Sequence, residues 1–213
     1  MIRVMLVDDH AVVREGYRRL LECQGDLQVV AEAGDGQQAL QDWRHTQPDV
    51  TVVDLALPGL GGLELITRLR QREPRCRLLA FSMHRDPVWA TQALRAGALG
   101  YVTKSSPPET LVQAVRTVHD GRRVISPDIA TEVATALLDA QGAETGAPAG
   151  LSPREFEVLR ALVAGREVAD IAEALHLSPK TVHNLHYQIK AKLGTRSDFE
   201  LARLAWQNGW MDA

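Results

Sequence analysis

Three aspartates, a serine and a lysine stand at four separate places between residues 8 and 104, each at or near the end of a short apolar run. "IRVMLV" runs into Asp8 and Asp9, "VTVVDL" carries Asp54, "CRLLAFS" ends on Ser82 and "GALGYVTK" on Lys104. A charge at the tip of an apolar strand is either paired or does chemistry. Three carboxylates gathered at one edge repel one another, so a cation must sit among them. Hard oxygen ligands in this number suit Mg²⁺, which takes carboxylates, a backbone carbonyl and several waters. Lys104 supplies a second positive charge. Asp54, on the central run, is then the group left for reaction. A carboxylate oxygen can attack phosphorus to give an acyl phosphate. Mg²⁺ and Lys104 would draw charge off the transferring oxygens, and Ser82 would hydrogen-bond the group once attached. His10 and His84 lie near the cluster, but tetrahedral nitrogen and sulfur ligands for zinc do not reach the required number. The glycine fingerprint of a dinucleotide site is missing after the first run.

These residues need elements that bring them together. The runs just named, with "LQVVAEA" at 27–33, alternate with helical stretches at 11–23, 35–45, 62–72, 87–96 and 108–119. Such alternation predicts a parallel sheet covered on both faces. All strands of such a sheet end on one edge, where sites are placed. Pro58, Gly61 and Gly62 shape the loop beyond Asp54.

Composition marks a seam. Residues 139–150, "DAQGAETGAPAG", hold no apolar side chain larger than alanine or proline, which reads as a linker. A short helix is expected before it, capped by Ser126 with Pro127 at its first position. Its apolar residues Ile129, Val133, Ala136 and Leu137 could pack on either side. After the seam the pattern is wholly helical. Ser152, Pro153 and Glu155 form a capping box, Ser178 and Pro179 open another helix that stops at Gly194, and a last helix starts at Ser197. Four helices with a tight central turn, "HLS", have the size and shape of a helix-turn-helix.

The 213 residues carry a net charge of −3, with 45% apolar and 24% charged residues, so the chain is no polycation. Local charge still matters. Residues 151–213 hold eight basic and eight acidic residues, but no acid falls between Pro179 and Ser197. Val182, Leu185, Ile189 and Leu193 mark the face of that helix held by the domain. The opposite face carries Lys180, His183, Asn184, Tyr187 and Lys190, as a helix laid in a major groove would. Asn184 is the best candidate for adenine, since its amide pairs with both N6 and N7. A positive stripe also suits an acidic protein partner. The two cysteines lack a pairing pattern, no basic region leads into a signal-peptide core, and no run reaches 18 apolar residues; a cytoplasmic setting without membrane contact is expected.

The first domain resembles the receiver domain of bacterial two-component response regulators. "LVDDH", "VVDLALPGLGG", "AFSMH" and "GALGYVTKSSPPETL" carry the likeness in order. The second half resembles the LuxR-type helix-turn-helix of the NarL/FixJ family, through "LSPREFEVLRALVAG" and "VADIAEALHLSPKTVHNLHYQIKAKLG". The resemblance implies an α/β fold, a CheY-like doubly wound parallel five-stranded sheet, plus a small all-α four-helix domain. It implies a receiver at 1–122, a linker with a short helix at 123–149 and a DNA-binding domain at 150–213.

It further implies that a sensor histidine kinase phosphorylates Asp54. Mg²⁺ would be held by Asp54, directly by Asp9, through water by Asp8, and by the backbone carbonyl of Ala56. Lys104 would bind the phosphoryl group, Ser82 would sense it, and Tyr101 would swing with the switch. His183, Asn184 and Tyr187 fall at base-reading positions, while Lys180, Thr181, Lys190 and Lys192 fall at phosphate-holding ones. Leu201, Leu204 and Ala205 would serve a dimer contact or the core. Leu57 stands where many relatives have methionine, and His183 and Leu185 stand where lysine and histidine are frequent. The expected function is a phosphorylation-activated, DNA-binding transcriptional regulator, not an enzyme, that dimerises on activation and has RNA polymerase as a further partner. The alternatives are an orphan regulator controlled without phosphorylation, and an interaction module whose helical domain does not bind DNA.

Overall fold

The computed structural model describes residues 1–135 and 151–210. The first domain runs β1 (Ile2–Val7), α1 (Ala11–Glu22), β2 (Leu27–Ala33), α2 (Gly36–Thr46), β3 (Val50–Asp54), α3 (Gly62–Arg72), β4 (Leu78–Ser82), α4 (Pro87–Ala96), β5 (Gly100–Thr103), α5 (Pro108–His119) and β6 (Val124–Ile125). Its strands form one parallel sheet in the order β2-β1-β3-β4-β5-β6.

Strand alternation sorts the core into two layers. Val4 and Leu6 of β1, with Val50 and Val52 of β3, face Leu21 of α1 and Leu111, Val112 and Val115 of α5. Met5, Val7 and Val53 point the other way, against Ala39 of α2, Leu63 and Ile66 of α3 and Ala90 of α4. All of β3 is buried, as expected of a central parallel strand covered on both faces. The register aligns Asp54 with Phe81, and Ser82 with Thr103, so the polar strand ends fall on one edge.

The sheet differs from the five-stranded expectation. After the turn at Gly121, Val124 and Ile125 pair with Gly100 and Tyr101 as a sixth strand. The two-residue pairing is too short to show as a periodic run. Ser126 does not cap a helix starting at Pro127. It is buried, its hydroxyl accepts the Thr103 backbone N–H at 3.2 Å, and helix begins only at 130. This helix, α6, covers the described residues 130–135. Ile129 and Val133 pack into the receiver core, so the packed unit continues past residue 122 into the stretch read as linker. Ala136, Leu137 and residues 139–150 lie outside the described residues.

The second domain comprises α7 (Pro153–Val163), α8 (Val168–Ala174), α9 (Pro179–Leu193) and α10 (Asp198–Gln207). The capping box of α7 is complete, with Glu155 N–H donating to the Ser152 hydroxyl and Ser152 N–H to the Glu155 carboxylate. Gly194 ends α9 at φ 66°, a left-handed conformation that glycine adopts without a Cβ penalty. Phe156, Leu159, Ile171, Val182, Ile189 and Leu201 make the core. The domain docks on the receiver through α7: Phe156 meets Trp89 of α4 edge-on at 5.7 Å, and Arg160 reaches Asp86 at 2.7 Å.

Candidate functional site

The strand ends converge as the sequence predicts. β1 delivers Asp8, 6% exposed, and β3 delivers Asp54, 3% exposed. Asp8 is held by its own turn, its Oδ1 accepting the His10 N–H at 2.8 Å. Asp54 Oδ1 accepts the Ala56 N–H at 3.0 Å. Lys104 enters just past β5, its backbone N–H pinned to the Ser82 carbonyl at 2.7 Å. From there its ammonium donates to Asp54 Oδ2 at 2.6 Å and Asp8 Oδ2 at 2.5 Å. The loop after β3 stays close because α3 begins with glycine. A Cβ at Gly62 would lie 2.1 Å from the Asp54 carbonyl oxygen.

The electrostatics follow from two acids sharing one base in a dry place. Burial pushes the Asp54 carboxyl above its ordinary range, which Lys104 only partly offsets and the Asp8 charge reinforces. Burial works against the Lys104 ammonium, but the Asp54 and Asp8 carboxylates outweigh it and hold its pKa above normal. Both shifts say that the cluster wants more positive charge. Asp9 adds another carboxylate, with Oδ1 2.7 Å from His10 Nδ1. Ligand atoms of Asp8, Asp9, His10 and Asp54 all lie within 4.8 Å of one another. Three carboxylates against one ammonium leave two negative charges, which a divalent cation matches.

Ser82 is fully buried beside this cluster, its hydroxyl accepting the His84 N–H at 3.2 Å. Tyr101 is fully buried too. Its phenol donates to the His84 carbonyl at 2.7 Å, and burial pushes its pKa well up. Ala56 is exposed at the mouth of the site. The structure thus gathers Asp8, Asp9, Asp54, Ala56, Ser82 and Lys104 in one place, with Tyr101 one residue contact away.

Four participants escaped the sequence reading. Asp128 accepts hydrogen bonds from Thr103 at 2.5 Å and Ser106 at 2.9 Å, and so fixes the loop that carries Lys104. Asp86, Trp89 and Arg160 join the domains next to His84. Only Asp86 carried a local signal, an aspartate before a proline at a helix start, and that signal spoke of capping alone.

On α9, Lys180, His183, Asn184 and Tyr187 are all exposed, and their spacing of three and four places them on one face. Tyr187 is 74% exposed. Thr181 serves the helix start, its N–H on the Ser178 hydroxyl at 3.1 Å. Lys190 and Lys192 are less available than the acid-free run suggested. Lys190 pairs with Asp198 at 3.0 Å and Lys192 with Glu155 at 2.6 Å. Those acids come from α10 and α7, outside the run. Leu201 and Ala205 are buried and Leu204 is half-buried, so they belong to the domain core. The outward face of α10 instead carries Phe199 and Trp206, 78% and 75% exposed.

A doubly wound sheet with an acidic pocket at its carboxyl edge, followed by a helix-turn-helix domain, defines a receiver coupled to a nucleic-acid-reading domain. Family comparison agrees: residues 4–116 match the response regulator receiver domain and residues 149–205 match the LuxR family of bacterial regulatory proteins. The chain belongs to the response regulators of this NarL/FixJ architecture. It is similar along its whole length to the response regulator GacA of Pseudomonas viridiflava, at 41% identity over 214 residues and 99% of that protein. It is also similar to the response regulator UvrY of Escherichia coli K12, at 36% identity over 213 residues, covering all of this chain and 97% of that protein. RcsB from Salmonella enterica serovar Typhimurium, solved bound to a promoter with the phosphomimetic BeF3⁻, superimposes with a TM-score of 0.62 at 27% identity, covering 95% of this chain and 96% of that one.

Proposed function

We propose that Asp54 accepts a phosphoryl group from a phosphohistidine of a sensor histidine kinase, and that the resulting acyl phosphate drives two chains to pair on duplex DNA read by α9. The carrying observation is the Lys104 ammonium at 2.6 Å from a buried Asp54 carboxylate whose other partner is one backbone N–H. An Asp54 oxygen attacks phosphorus, the P–N bond breaks, and the imidazole leaves with a proton. Lys104 shifts from the Asp8 side onto the transferred oxygens. Asp8, Asp9, Asp54 and the Ala56 carbonyl would hold Mg²⁺. When bound, that ion supplies charge that offsets the phosphoryl oxygens. The Ser82 hydroxyl then turns to the phosphoryl group, giving up the His84 N–H. Because Tyr101 holds the carbonyl of the same residue, its ring moves with that loop.

The DNA-reading face shapes how the switch works. The receiver docks on α7, and Lys180, His183, Asn184 and Tyr187 of α9 remain exposed. Unmasking is therefore not needed for access. Pairing is the effective step, since two reading helices double the phosphate contacts and match two half-sites. His183, Asn184 and Tyr187 read bases, and Lys180 and Thr181 contact phosphates. Lys190 and Lys192 join them when phosphate displaces their carboxylate partners. A cytoplasmic chain meeting a kinase, DNA and RNA polymerase fits this reading.

The test uses acetyl phosphate with Mg²⁺ and a promoter duplex followed by fluorescence anisotropy. Wild type should gain one phosphoryl group by mass and bind at least about tenfold more tightly, with a steeper salt dependence. Asp54→Asn should gain neither. An equal gain in Asp54→Asn would overturn the proposal.

A further inference from the structure

The turn that carries Lys104 is tied to a residue from beyond the stretch that matches the receiver family. Thr103 and Ser106 flank Lys104 and Ser105, and the Ser106 N–H donates to the Thr103 carbonyl at 3.1 Å. Both flanking hydroxyls reach one carboxylate. Thr103 donates to Asp128 Oδ2 at 2.5 Å and Ser106 to Asp128 Oδ1 at 2.9 Å. Asp128 therefore clamps the turn at both ends. It lies past residues 4–116, the family match, on the segment that leads from β6 into α6.

Asp128 is itself held from both sides. Before it, Ser126 is buried, donates its N–H to the Tyr101 carbonyl at 2.9 Å and accepts the Thr103 N–H on its hydroxyl at 3.2 Å. After it, Ile129 is buried in the receiver core. Burial alone would raise the Asp128 carboxyl, yet hydrogen bonds from Thr103, Ser126 and Ser106 outweigh it and hold the group below its ordinary range. Arg85 comes only within 3.7 Å of Asp128 Oδ2 and is itself 62% exposed, so that ion pair adds little. The carboxylate commits its oxygens to the turn.

A lysine on a flexible stem can reach Asp54 and Asp8 from many backbone positions, but a fixed backbone presents the ammonium in place. On one side Lys104 is fixed by its own N–H on the Ser82 carbonyl at 2.7 Å. On the other, its turn is fixed through Asp128. We propose that Asp128 is a positioning residue for the phosphoryl transfer proposed for Asp54, on which this role depends. Seated by the segment that leaves the receiver, it holds Lys104 where the transferring oxygens will be. It acts through the turn and not on Asp8, Asp9 or Asp54, so its loss slows transfer without weakening the metal site.

The test follows the mass gain of full-length protein at saturating acetyl phosphate, and Mg²⁺ binding by the amide shifts of ¹⁵N-labelled protein. Asp128→Ala should take up the phosphoryl group about tenfold more slowly. Its Mg²⁺ affinity should equal or exceed that of wild type, since a looser Lys104 competes less with the metal for Asp8 and Asp54. Thr103→Val, which removes one clamped hydroxyl and keeps the branched shape, should slow transfer as well. The double variant should be no slower than Asp128→Ala alone. The proposal is overturned by a wild-type rate in Asp128→Ala, by a fall in Mg²⁺ affinity alongside the rate, or by losses that multiply in the double variant. A wild type that takes up no phosphoryl group overturns the role given to Asp54, and that of Asp128 with it.

Discussion

Arg160 of α7 donates through Nη1 to Asp86 Oδ2 at 2.7 Å, while Oδ1 of the same carboxylate accepts the Val88 N–H at 2.8 Å and caps α4. One side chain thus starts a receiver helix and holds the DNA-binding domain. It lies two residues after His84, whose carbonyl receives the Tyr101 phenol. Displacement of Tyr101 therefore reaches the seam through a short stretch of loop.

Removing that carboxylate should cost more than a cap. Asp86→Ala takes the Asp86 carboxylate away from the Arg160 guanidinium, which is only 6% exposed. A destabilisation of about 3 kcal/mol is expected, a lost cap accounting for about 1. The double variant Asp86→Ala/Arg160→Met should recover most of the remainder. Additive losses in denaturant titrations would contradict the pairing.

Asp54→Asn should be more stable than wild type at neutral pH, by a few degrees in Tm. The folded carboxyl titrates above its unfolded value of 3.8. The folded state holds the proton longer, so stability falls as pH rises from near 3.8 through the raised value and stays lower above it. The amide cannot ionise and escapes this loss. Thermal melts of the two proteins should converge on acidification.

Glu157 gives the seam a pH dependence of its own. The carboxyl is 8% exposed, and burial raises it to about 7 despite Arg154. Its side chain presses on the receiver at Gly61, where an added Cβ would meet Glu157 Oε1 at 2.5 Å. The sign is the same as for Asp54: stability is lost as pH rises from 4.5 to about 7. Glu157→Gln should flatten the melting temperature across that window. A slope equal to wild type would show that Glu157 does not carry it.

Gly62→Ala tests how closely α3 must approach β3. The added methyl would sit 2.1 Å from the Asp54 carbonyl oxygen, against backbone that cannot yield. A loss of about 3 kcal/mol is expected, together with slower phosphorylation by acetyl phosphate as Asp54 is displaced. Wild-type stability in urea would refute the close approach.

Phe199 and Trp206 expose two large apolar side chains on the outward face of α10. If this face covers its counterpart when chains pair, Phe199→Ser/Trp206→Ser should keep the monomer fold and acetyl phosphate labelling. It should lose about tenfold in promoter affinity. Sedimentation of the phosphorylated double variant should show monomer where wild type shows dimer.

The sequence by itself determined most of the architecture. Strand ends bearing Asp8, Asp9, Asp54, Ser82 and Lys104 were legible because a parallel sheet forces consecutive strand termini onto one edge. The helices were legible through caps such as Ser152 and Ser178, which are local signals. What it left undecided was every relation between segments whose energy comes from packing. Val124 and Ile125 form a strand because β5 offers an open edge, and Ser126 serves Thr103 because that edge brings it there. Lys190 meets Asp198 of α10, just past the acid-free run, and Lys192 meets Glu155 of α7, which lies far from it in sequence. Asp86, Trp89, Glu157 and Arg160 have ordinary local contexts, and only the docking of α7 on the receiver gives them partners. Local propensity sets elements. The burial of charge and the pairing of distant side chains exist only once those elements have been brought into contact.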